Sequence, residues 1–493
     1  MELTRKLILT ITLSIINVCS GFGQVMEFAI NGAAAQDRIG SAVAISDDGL
    51  TLVIGAQSAS VGGTLCGKAN IYKKSGNNWI QFGPDLIGVN LYDGFGSAVS
   101  ISADGTRAAI SAPEFDINTF VNNGIVRIYD LTGSTWLQIG SDIQGSNSEG
   151  LGKSVALNGD GSKVVFGSNG TSGAGAGGRA KVYRDSSGTW VKVGLTINGE
   201  ASGDVFGSSV AISANGNRIF VGAPYNGGNG IQAGHVRAFD LVAGNWIQIG
   251  ADIDGEASMN YFGNSIAVSN DGNRLVVGAH ANVNVSGVIS GHARVFDLIG
   301  NSWVQVGSDI EGDFLQEQFG SRVSISGNGL RLLIASPFYL SSAGRAKIFE
   351  FDGTNWVQTG NTISGSGNTG IGLDQSLNGS RLAVGSPYAS STAGANTGIV
   401  RLYGLSGLSS VENISENNFL IYPNPFTSHI EVHSKTNKLS GLRIKNLLGE
   451  QVLFTEFNTD TDINTMNVIK GIYFYEIKDD KGIIVKSGKL IKL

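Results

Sequence analysis

Seven copies of one short turn constrain the fold of this 493-residue chain more than any other feature. Each copy is an Asn or Asp followed by Gly, and successive glycines lie 50 to 57 residues apart. Because both central residues of a two-residue hairpin turn take a positive φ, this pair predicts such a turn between antiparallel strands. The turns are Asp48-Gly49, Asp104-Gly105, Asp160-Gly161, Asn215-Gly216, Asp271-Gly272, Asn328-Gly329 and Asn378-Gly379.

Each turn belongs to a unit of four strand-like runs. In the fourth unit these are VAIS, RIFVG, GHVRAFDL and NWIQIG, and the fifth unit repeats the last two as GHARVFDL and SWVQVG. The chain has 72 Gly, 7 Pro and 41% apolar residues, which favours many short strands joined by tight turns. The sequence therefore predicts an all-β fold, a seven-bladed β-propeller followed by a small β-sandwich.

The seventh unit lacks its outer strand, and the N-terminal segment is the candidate to supply it. Aligning VMEFAING (25–32) with IQIGADIDG (247–255) brings Ile30 onto Ile253 and Gly32 onto Gly255. We expect this segment to close the ring and to cover an edge that would otherwise be open to aggregation.

The tryptophans of the chain recur at one position, on the outer strands of units one to six. They could form a ring of sugar-stacking platforms or anchor each outer strand against its neighbours. A repeated large aromatic favours the packing interpretation. The six residues are Trp79, Trp136, Trp190, Trp246, Trp303 and Trp356.

The repeat also carries a family resemblance. FGSSVAISANGNRIFVGAP (206–224) resembles the FG-GAP repeat of integrin-type seven-bladed propellers, with weaker copies beginning at Gly40, Phe95, Gly152, Phe262, Phe319 and Gly372. Members of that family that bind calcium use an acidic loop inside this hairpin. Here one Asp cannot supply the six to eight oxygens that calcium requires, so we expect no metal and no cofactor in the blades.

The N-terminus has the pattern of a secretory signal peptide. Arg5 and Lys6 precede an apolar run at 7–18 that is too short to span a membrane, and we place cleavage before Gln24. Lipidation at Cys19 is a weaker alternative because Val18 is bulky. The expected organisation is a signal peptide (1–23), a propeller (24–404), a linker (405–418) and a C-terminal domain (419–493).

The C-terminal domain carries a second resemblance. Apolar and charged residues alternate in IEVH and LRIK, which predicts strands with one buried face. YPNPF (422–426), NLLGEQV (446–452), GIYFYEI (471–477) and KLIKL (489–493) resemble the type A sorting domain of type IX secretion in Bacteroidetes. That resemblance implies an immunoglobulin-like sandwich, the outer-membrane secretion machinery as partner, and a protein that is secreted or attached to the outer cell surface.

Catalytic chemistry has little support in the sequence. Residues 24–418 carry a net charge of −9, which disfavours nucleic acid as a partner. His235 and His292 share a repeat position with Arg179 and Arg345, which favours solvated strand residues over metal ligands. A glycosidase needs two converging carboxylates, yet the predicted inner strands are nearly uncharged. The exceptions are Arg322, Asp374 and Gln375, interpreted as irregularities near ring closure that include an Arg–Asp pair between neighbouring blades.

One face of the predicted ring carries the loops between second and third strands and the links between blades. These segments vary from unit to unit, and we call this side the loop face. Variable loops on a rigid scaffold commonly carry recognition. The candidate ligand-binding residues there are Phe115, Tyr225, Phe338, Tyr339, Tyr388, Asp204 and Glu256, and further link acids are Asp93, Glu149 and Glu317.

These candidates have a structural alternative, in which the aromatics cap the blades and the acids are merely solvated. The sequence favours a non-enzymatic binding or adhesion protein that recognises a glycan or a protein. A secreted carbohydrate-active enzyme is the alternative function, and a purely structural surface protein is the third.

Overall fold

The structure, a computed structural model, describes residues 23–117, 121–170, 177–365, 367, 372–406, 419–422, 428–434, 440–446, 450–478 and 484–492. The chain divides into two compact units after Ser406. The expected signal peptide up to residue 22 and the expected linker from residue 407 lie outside the described residues.

The described part of the first unit forms seven antiparallel sheets, the blades of a β-propeller. Each blade has four main strands, and the innermost strand of each blade contacts the innermost strand of the next. Ala42–Ile45 of blade 1 contacts Leu373–Gln375 of blade 7, so the ring is closed.

The blades are numbered in chain order, and their strands are given from the channel outward. The inner strands are Ala42–Ile45, Val99–Ile101, Leu151–Leu157, Ser209–Ile212, Ser265–Val268, Arg322–Ile325 and Leu373–Gln375. The second strands are Thr51–Ala56, Arg107–Ala112, Lys163–Ser168, Arg218–Ala223, Arg274–Ala279, Arg331–Ser336 and Arg381–Ser386. The third strands are Lys68–Ser75, Ile125–Thr132, Arg179–Ser186, His235–Val242, His292–Ile299, Arg345–Phe351 and Ile399–Ser406.

The outer strands of blades 1 to 6 are Asn78–Gln81, Thr135–Gln138, Thr189–Lys192, Asn245–Gln248, Ser302–Gln305 and Trp356–Ser364. In blades 1 to 5 a further short strand pairs with the third strand, and these are Leu86–Ile87, Ile143–Gln144, Ile197–Asn198, Ile253–Asp254 and Ile310–Glu311. One helical turn, Tyr339–Ser342, precedes the third strand of blade 6.

The hairpins between first and second strands lie where the Asn/Asp-Gly pairs predict them, but their geometry differs from the expected two-residue turn. In blade 1 the N–H of Ser46 donates to the carbonyl of Thr51, and Gly49 donates back to Ser46, so four residues form the loop. Gly49 takes a φ of +69°, whereas Asp48 is not among the residues with positive φ. Asp48 instead accepts hydrogen bonds from the Ser46 hydroxyl and from the N–H of Leu50. This is a loop built around a single tight turn.

The outer strand of blade 7 is Gly23–Asn31, which pairs antiparallel with Ile399–Ser406. Ile30 lies opposite Val400, as Ile253 lies opposite Val236 in blade 4. The propeller thus ends at Ser406, two residues beyond the expected boundary at Gly404, and its last blade combines both ends of the unit.

Close backbone contacts between blades explain the glycines of the repeat. A Cβ at Gly222, the next-to-last residue of the second strand of blade 4, would lie 2.2 Å from the carbonyl oxygen of Gly263 in blade 5. Gly385 of blade 7 stands in the same relation to Gly40 of blade 1, at 2.1 Å. At each of these boundaries a glycine of the second strand lies against the glycine that precedes the inner strand of the next blade. A side chain on either glycine would push the two blades apart.

The tryptophans also pack between blades, which supports the packing interpretation over exposed sugar platforms. Five are 4 to 9% exposed, and Trp303 is partly buried. Trp246 donates its indole N–H to the carbonyl of Val193 in the preceding blade at 3.1 Å, and Trp303 donates to Ile249 at 3.2 Å.

The second unit is a β-sandwich of two sheets in its described part. One sheet has the strand order Phe419–Tyr422, His429–Ser434, Thr461–Asn464, and the other Gln451–Phe457, Ser440–Lys445, Gly471–Lys478, Ile484–Lys492. Ile430, Val432, Leu442 and Ile444 are buried while the charged residues between them are partly exposed, which confirms the predicted alternation. The immunoglobulin-like topology stays a prediction. Among the described residues, no helix is long and apolar enough to cross a membrane.

Candidate functional site

The inner strands surround a central channel of about 750 Å³ that reaches the loop face. Its lining comes from the first residues of the inner strands and from residues that follow the second strands, such as Pro113, Glu114 and Tyr225. These are the positions from which the variable loops depart. A ligand held by the loops would therefore also reach the channel.

The opposite end of the channel is closed by the hairpin loops, which we call the turn ring. Each loop donates one backbone N–H to the loop of the following blade, and blade 7 donates to blade 1. Inside the ring, the Asn270 amide donates to the Asp47 carboxylate at 2.8 Å. The donor and acceptor residues are Asp47 to Ala103, Ala103 to Gly159, Gly159 to Ala214, Ala214 to Asn270, Asn270 to Gly327, Asn328 to Leu377 and Leu377 to Asp47.

Two cations and one carboxylate line the described part of the channel. Lys153 is exposed and has no acidic partner there, and Arg322 donates only to the carbonyl of Ser321, at 2.9 Å. Glu114 is the single acid of this lining. Of the two cations, only Arg322 was predicted from the sequence, although Lys153 also departs from the Ser or Asn that most units carry at its repeat position. The channel lining is therefore net positive.

A side cavity of about 220 Å³ adjoins the channel at Arg322 and is lined by His280. His280 stacks on Tyr261 with ring centroids 5.2 Å apart, and Tyr261 meets Tyr225 edge to face at 5.3 Å. Burial, together with the charge of Arg322, lowers the pKa of His280 to about 4. The imidazole is thus neutral near pH 7 and forms an aromatic wall with the two tyrosines.

The structure places one of the five candidate aromatics in the channel. Tyr225 is 44% exposed and lines it, whereas Phe338 (43%) and Tyr388 (39%) are exposed outside the residues that line it. Tyr339 is partly buried under the guanidinium of Arg345, 4.2 Å from the ring centre. Phe115 is partly buried against a hydrophobic core cluster of blades 1 and 2. Tyr225 is therefore the candidate with the clearest access to a ligand.

Most of the link acids are buried, so the alternative in which they are merely solvated is wrong for them. Asp204 is 4% exposed, and its carboxylate accepts hydrogen bonds from the N–H of Ala201 and from the amide of Asn226. Glu256 is exposed, but the buried position corresponding to Asp204 belongs to Asn260 in its link. The other buried acids at this position are Asp37, Asp93, Glu149 and Glu317. These acids order the links between blades and are not available to a ligand.

Asp374 also has a structural task, and the Arg–Asp pair considered for it is not among the ion pairs of the described residues. Its oxygens accept hydrogen bonds from the N–H groups of Ile45 and Gln375 and from the Ser324 hydroxyl. It thereby ties blade 7 to blades 1 and 6. Burial raises the pKa of Asp374 to about 6.

The hairpin loops do not fit calcium. Asp271, for example, is the one carboxylate of its turn, and its Oδ1 already accepts hydrogen bonds from the Ser269 hydroxyl and the Asn273 N–H. The remaining oxygens fall short of the six to eight that calcium takes.

Comparison with known proteins supports both resemblances. Residues 420–492 match the model of the secretion system C-terminal sorting domain. The protein is therefore secreted or attached to the outer cell surface. Such a sorting domain implies an interaction of the C-terminal unit with the secretion machinery. Residues 191–239 match the model of the FG-GAP repeat.

Two solved structures similar to the secreted propeller are the crystal structure of RRP9 WD40 repeats and the structure of U3-55K. The first is 12% identical, covers 78% of this chain and 99% of its own, and has a TM-score of 0.48. The second is 13% identical, covers 78% and 100%, and has a TM-score of 0.47. No curated protein matches the chain.

Proposed function

We propose that this protein is a non-enzymatic binding protein that recognises an extracellular glycan or protein through the loop face. The observation that carries the proposal is the one-ended channel, with Lys153 and Arg322 at its mouth and no carboxylate paired with either among the described residues. Two unpaired cations beside an aromatic wall suit an anionic group, such as a uronate or an acidic side chain, next to an apolar surface.

The surroundings of the channel support a macromolecular ligand. The loops and inter-blade links of this face expose many large apolar side chains, and clustered exposed apolar groups are typical of interaction surfaces. They include Val89, Leu91, Tyr92, Val121, Ile231, Met259, Val285, Phe314, Leu315 and Leu340, each between 49 and 93% exposed.

The channel favours binding over glycoside hydrolysis. A glycosidase places two carboxyl groups about 5 to 9.5 Å apart across the scissile bond. In the described lining Glu114 is the only carboxylate, and Asp374 is engaged in ties between blades. The carbohydrate-active enzyme is therefore the less favoured alternative.

The test is a binding screen of the mature chain against neutral polysaccharides, acidic polysaccharides and extracellular proteins, with affinities measured by biolayer interferometry. Lys153→Gln with Arg322→Gln should weaken binding of the ligand found by about 10-fold to 100-fold, because charge-assisted hydrogen bonds are lost. Tyr225→Ala should weaken it by about 1 to 3 kcal/mol.

The control is Lys192→Gln, which removes an exposed lysine from the outer strand of blade 3, far from the channel. Melting temperatures of all variants should stay close to that of the wild type. Equal affinity of the channel variants and the control would reject the channel as the binding site, and turnover of a polysaccharide would reject the non-enzymatic proposal.

A further inference from the structure

Two groups of potential metal ligands occupy corresponding places in blades 4 and 5. The first is Glu200, His235 and Asp252, and the second is Glu256, His292 and Asp309. Each histidine is the first residue of a third strand. Each Asp comes just before the short strand that pairs with this third strand, and each Glu belongs to the link from the preceding blade. Within each group the three ligand atoms lie within 4.8 Å of one another.

The histidines are buried, contrary to the expectation of solvated strand residues. His235 is 1% exposed and His292 is 0% exposed. Nε2 of His235 and both ring nitrogens of His292 lack a hydrogen-bond partner. A buried polar atom without a partner is costly, so a ligand on Nδ1 of His292 would remove that cost.

The unpaired nitrogens include one that points into its group. Nδ1 of His292 faces Oδ2 of Asp309 at 3.4 Å, and Nδ1 of His235 faces Oδ2 of Asp252 at the same distance. The other oxygen of each Asp is already bound, since Oδ1 of Asp252 accepts from the Gln248 amide at 2.7 Å. Gln305 binds Oδ1 of Asp309 in the same way. These amides orient the carboxylates so that one oxygen remains for the histidine side, as outer partners do around metal ligands.

The other blades show which charge this position requires. In blade 1 it is Lys68, 3.4 Å from Asp85 and 3.9 Å from Asp37. In blade 6 it is Arg345, which pairs with Asp313 at 2.8 Å and with Glu317. A cation therefore balances the acids in these two blades.

In blades 4 and 5 a histidine replaces that cation while two carboxylates remain. Arg237 approaches them, but only to 3.7 Å from Glu200 and 3.9 Å from Asp252, longer than a hydrogen bond. Arg294 lies 3.7 Å from both Glu256 and Asp309. One arginine against two acids leaves room for a further positive charge in each group.

We propose that each of these two groups binds a divalent transition-metal ion, with zinc the best match to its donors. Imidazole nitrogen and carboxylate oxygen are both zinc ligands, and three protein ligands leave a fourth position for water. Calcium, which takes oxygen ligands only and in larger number, does not fit. Zinc bonds of about 2.0 to 2.2 Å bring tetrahedral ligand atoms to about 3.3 to 3.6 Å from one another, so each group must contract. The exposed Glu200 and Glu256 side chains, 48 and 44% accessible, can provide this movement.

Bound ions would connect two of the links between blades to the third strands of blades 4 and 5. Glu200 lies in the link from blade 3 to blade 4, and Glu256 in the link from blade 4 to blade 5. An ion that joins these residues to the third strand would have the role that Lys68 and Arg345 have in blades 1 and 6, where their positive charges bind the neighbouring acids. Both metal groups lie at blade boundaries, apart from the channel that would hold the proposed ligand.

The experiment uses the full mature chain after removal of metal with a chelator. Isothermal titration calorimetry with Zn²⁺ measures the number of ions bound per chain and their affinity. The absorption spectrum of added Co²⁺ gives an independent measure of the number of bound ions. His235→Gln and His292→Gln should each bind one ion fewer than the wild type, and the double variant two fewer. Zn²⁺ should raise the melting temperature of the wild type by several degrees and that of the double variant little.

The matched control is His280→Gln, which removes a histidine outside both groups and should keep the wild-type count. If a histidine variant fails to fold, Asp252→Asn and Asp309→Asn keep the side-chain size and should each lose one ion. The proposal is overturned if the wild type binds zinc no more tightly than about 1 mM, or if the double variant binds as many ions as the wild type.

Discussion

The Asn270 amide donates a hydrogen bond to the Asp47 carboxylate at 2.8 Å and so joins blade 5 to blade 1 inside the turn ring. The two residues are 223 positions apart in the chain. Burial raises the pKa of Asp47, and the hydrogen bond from Asn270 acts against this rise. The contact therefore stabilises a carboxylate at the closed end of the channel.

Asn270→Ala should lower the free energy of unfolding by about 1 to 3 kcal/mol, because it leaves the Asp47 carboxylate without its amide donor. Chemical denaturation of the purified variant measures this change. Asn77→Ala, at an exposed position without a hydrogen bond in the described structure, should change the free energy by less than about 0.5 kcal/mol. Equal stability of the two variants would show that the Asn270 contact contributes nothing.

A second prediction concerns pH and Asp374. Its pKa of about 6 in the folded state exceeds the ordinary value of 3.8, so the folded protein holds this proton more tightly than the unfolded chain does. The contribution of Asp374 to stability is thus most favourable below about pH 4 and declines as pH rises to about 6. The full decline corresponds to about 3 kcal/mol.

Asp374→Asn removes this titration and keeps the side-chain size. The difference in unfolding free energy between the variant and the wild type should shift in favour of the variant between pH 4 and pH 6, and then stay constant up to pH 8. Leu330→Ala, which changes an exposed side chain and no titratable group, is the control and should keep a constant difference from the wild type over this range. A constant difference for Asp374→Asn across the whole range would mean that this carboxyl titrates as it does in the unfolded chain.

The turn positions could be predicted from the sequence, but the turn geometry could not. Asp-Gly pairs mark both two-residue turns and longer loops, and the choice depends on side-chain hydrogen bonds such as those of Ser46 and Leu50 with Asp48. The alignment of the N-terminal segment, in contrast, put Ile30 at the register that it has against Val400. Strand register follows from local apolar pattern, and loop geometry does not.

The candidate site was harder to predict than the fold. In the sequence Asp204 and Glu256 are both acids of links between blades. In the structure Asp204 is buried under its own link, whereas Glu256 is exposed. Asp204 holds the repeat position at which acids are buried in five links, whereas Asn260 holds it in the link of Glu256. An alignment of the links therefore separates the two acids, but the burial of that position depends on how each link folds over the end of its blade. The burial of His235 and His292 could not be predicted for the same reason. Other units have Arg at this position at the start of the strand, and Arg indicates a solvent-exposed side chain.

A third prediction tests the close contact between blades. Gly222→Ala would place a methyl group 2.2 Å from the carbonyl oxygen of Gly263 and 2.3 Å from the Ser209 hydroxyl, so the blades must separate. We expect a loss of about 1 to 3 kcal/mol in the free energy of unfolding. Gly227→Ala is the matched control, because its new methyl group would have no neighbour closer than 3.9 Å. A variant Gly222→Ala as stable as this control would show that the boundary is loosely packed.

The last prediction concerns the strand that completes blade 7. Glu27 lies on this strand, and its Oε2 accepts hydrogen bonds from Lys74 of blade 1 at 3.0 Å and from Arg381 of blade 7 at 3.3 Å. The N-terminal strand thus holds both sides of the ring closure through backbone pairing and through one carboxylate. Glu27→Gln should keep the pairing and lose the charge, at a cost of roughly 1 kcal/mol.

Deletion of residues 24–31 should be much more damaging than Glu27→Gln. It leaves the edge of Ile399–Ser406 without its partner strand, and an unpaired edge invites association with other chains. We expect the melting temperature to fall by several degrees, and light scattering to detect oligomers that the wild type and Glu27→Gln do not form. Termini that are not part of a sheet can usually be removed without effect. An unchanged melting temperature and a monomeric deletion variant would mean that the ring stays closed without this strand, held by the contact between the inner strands of blades 1 and 7.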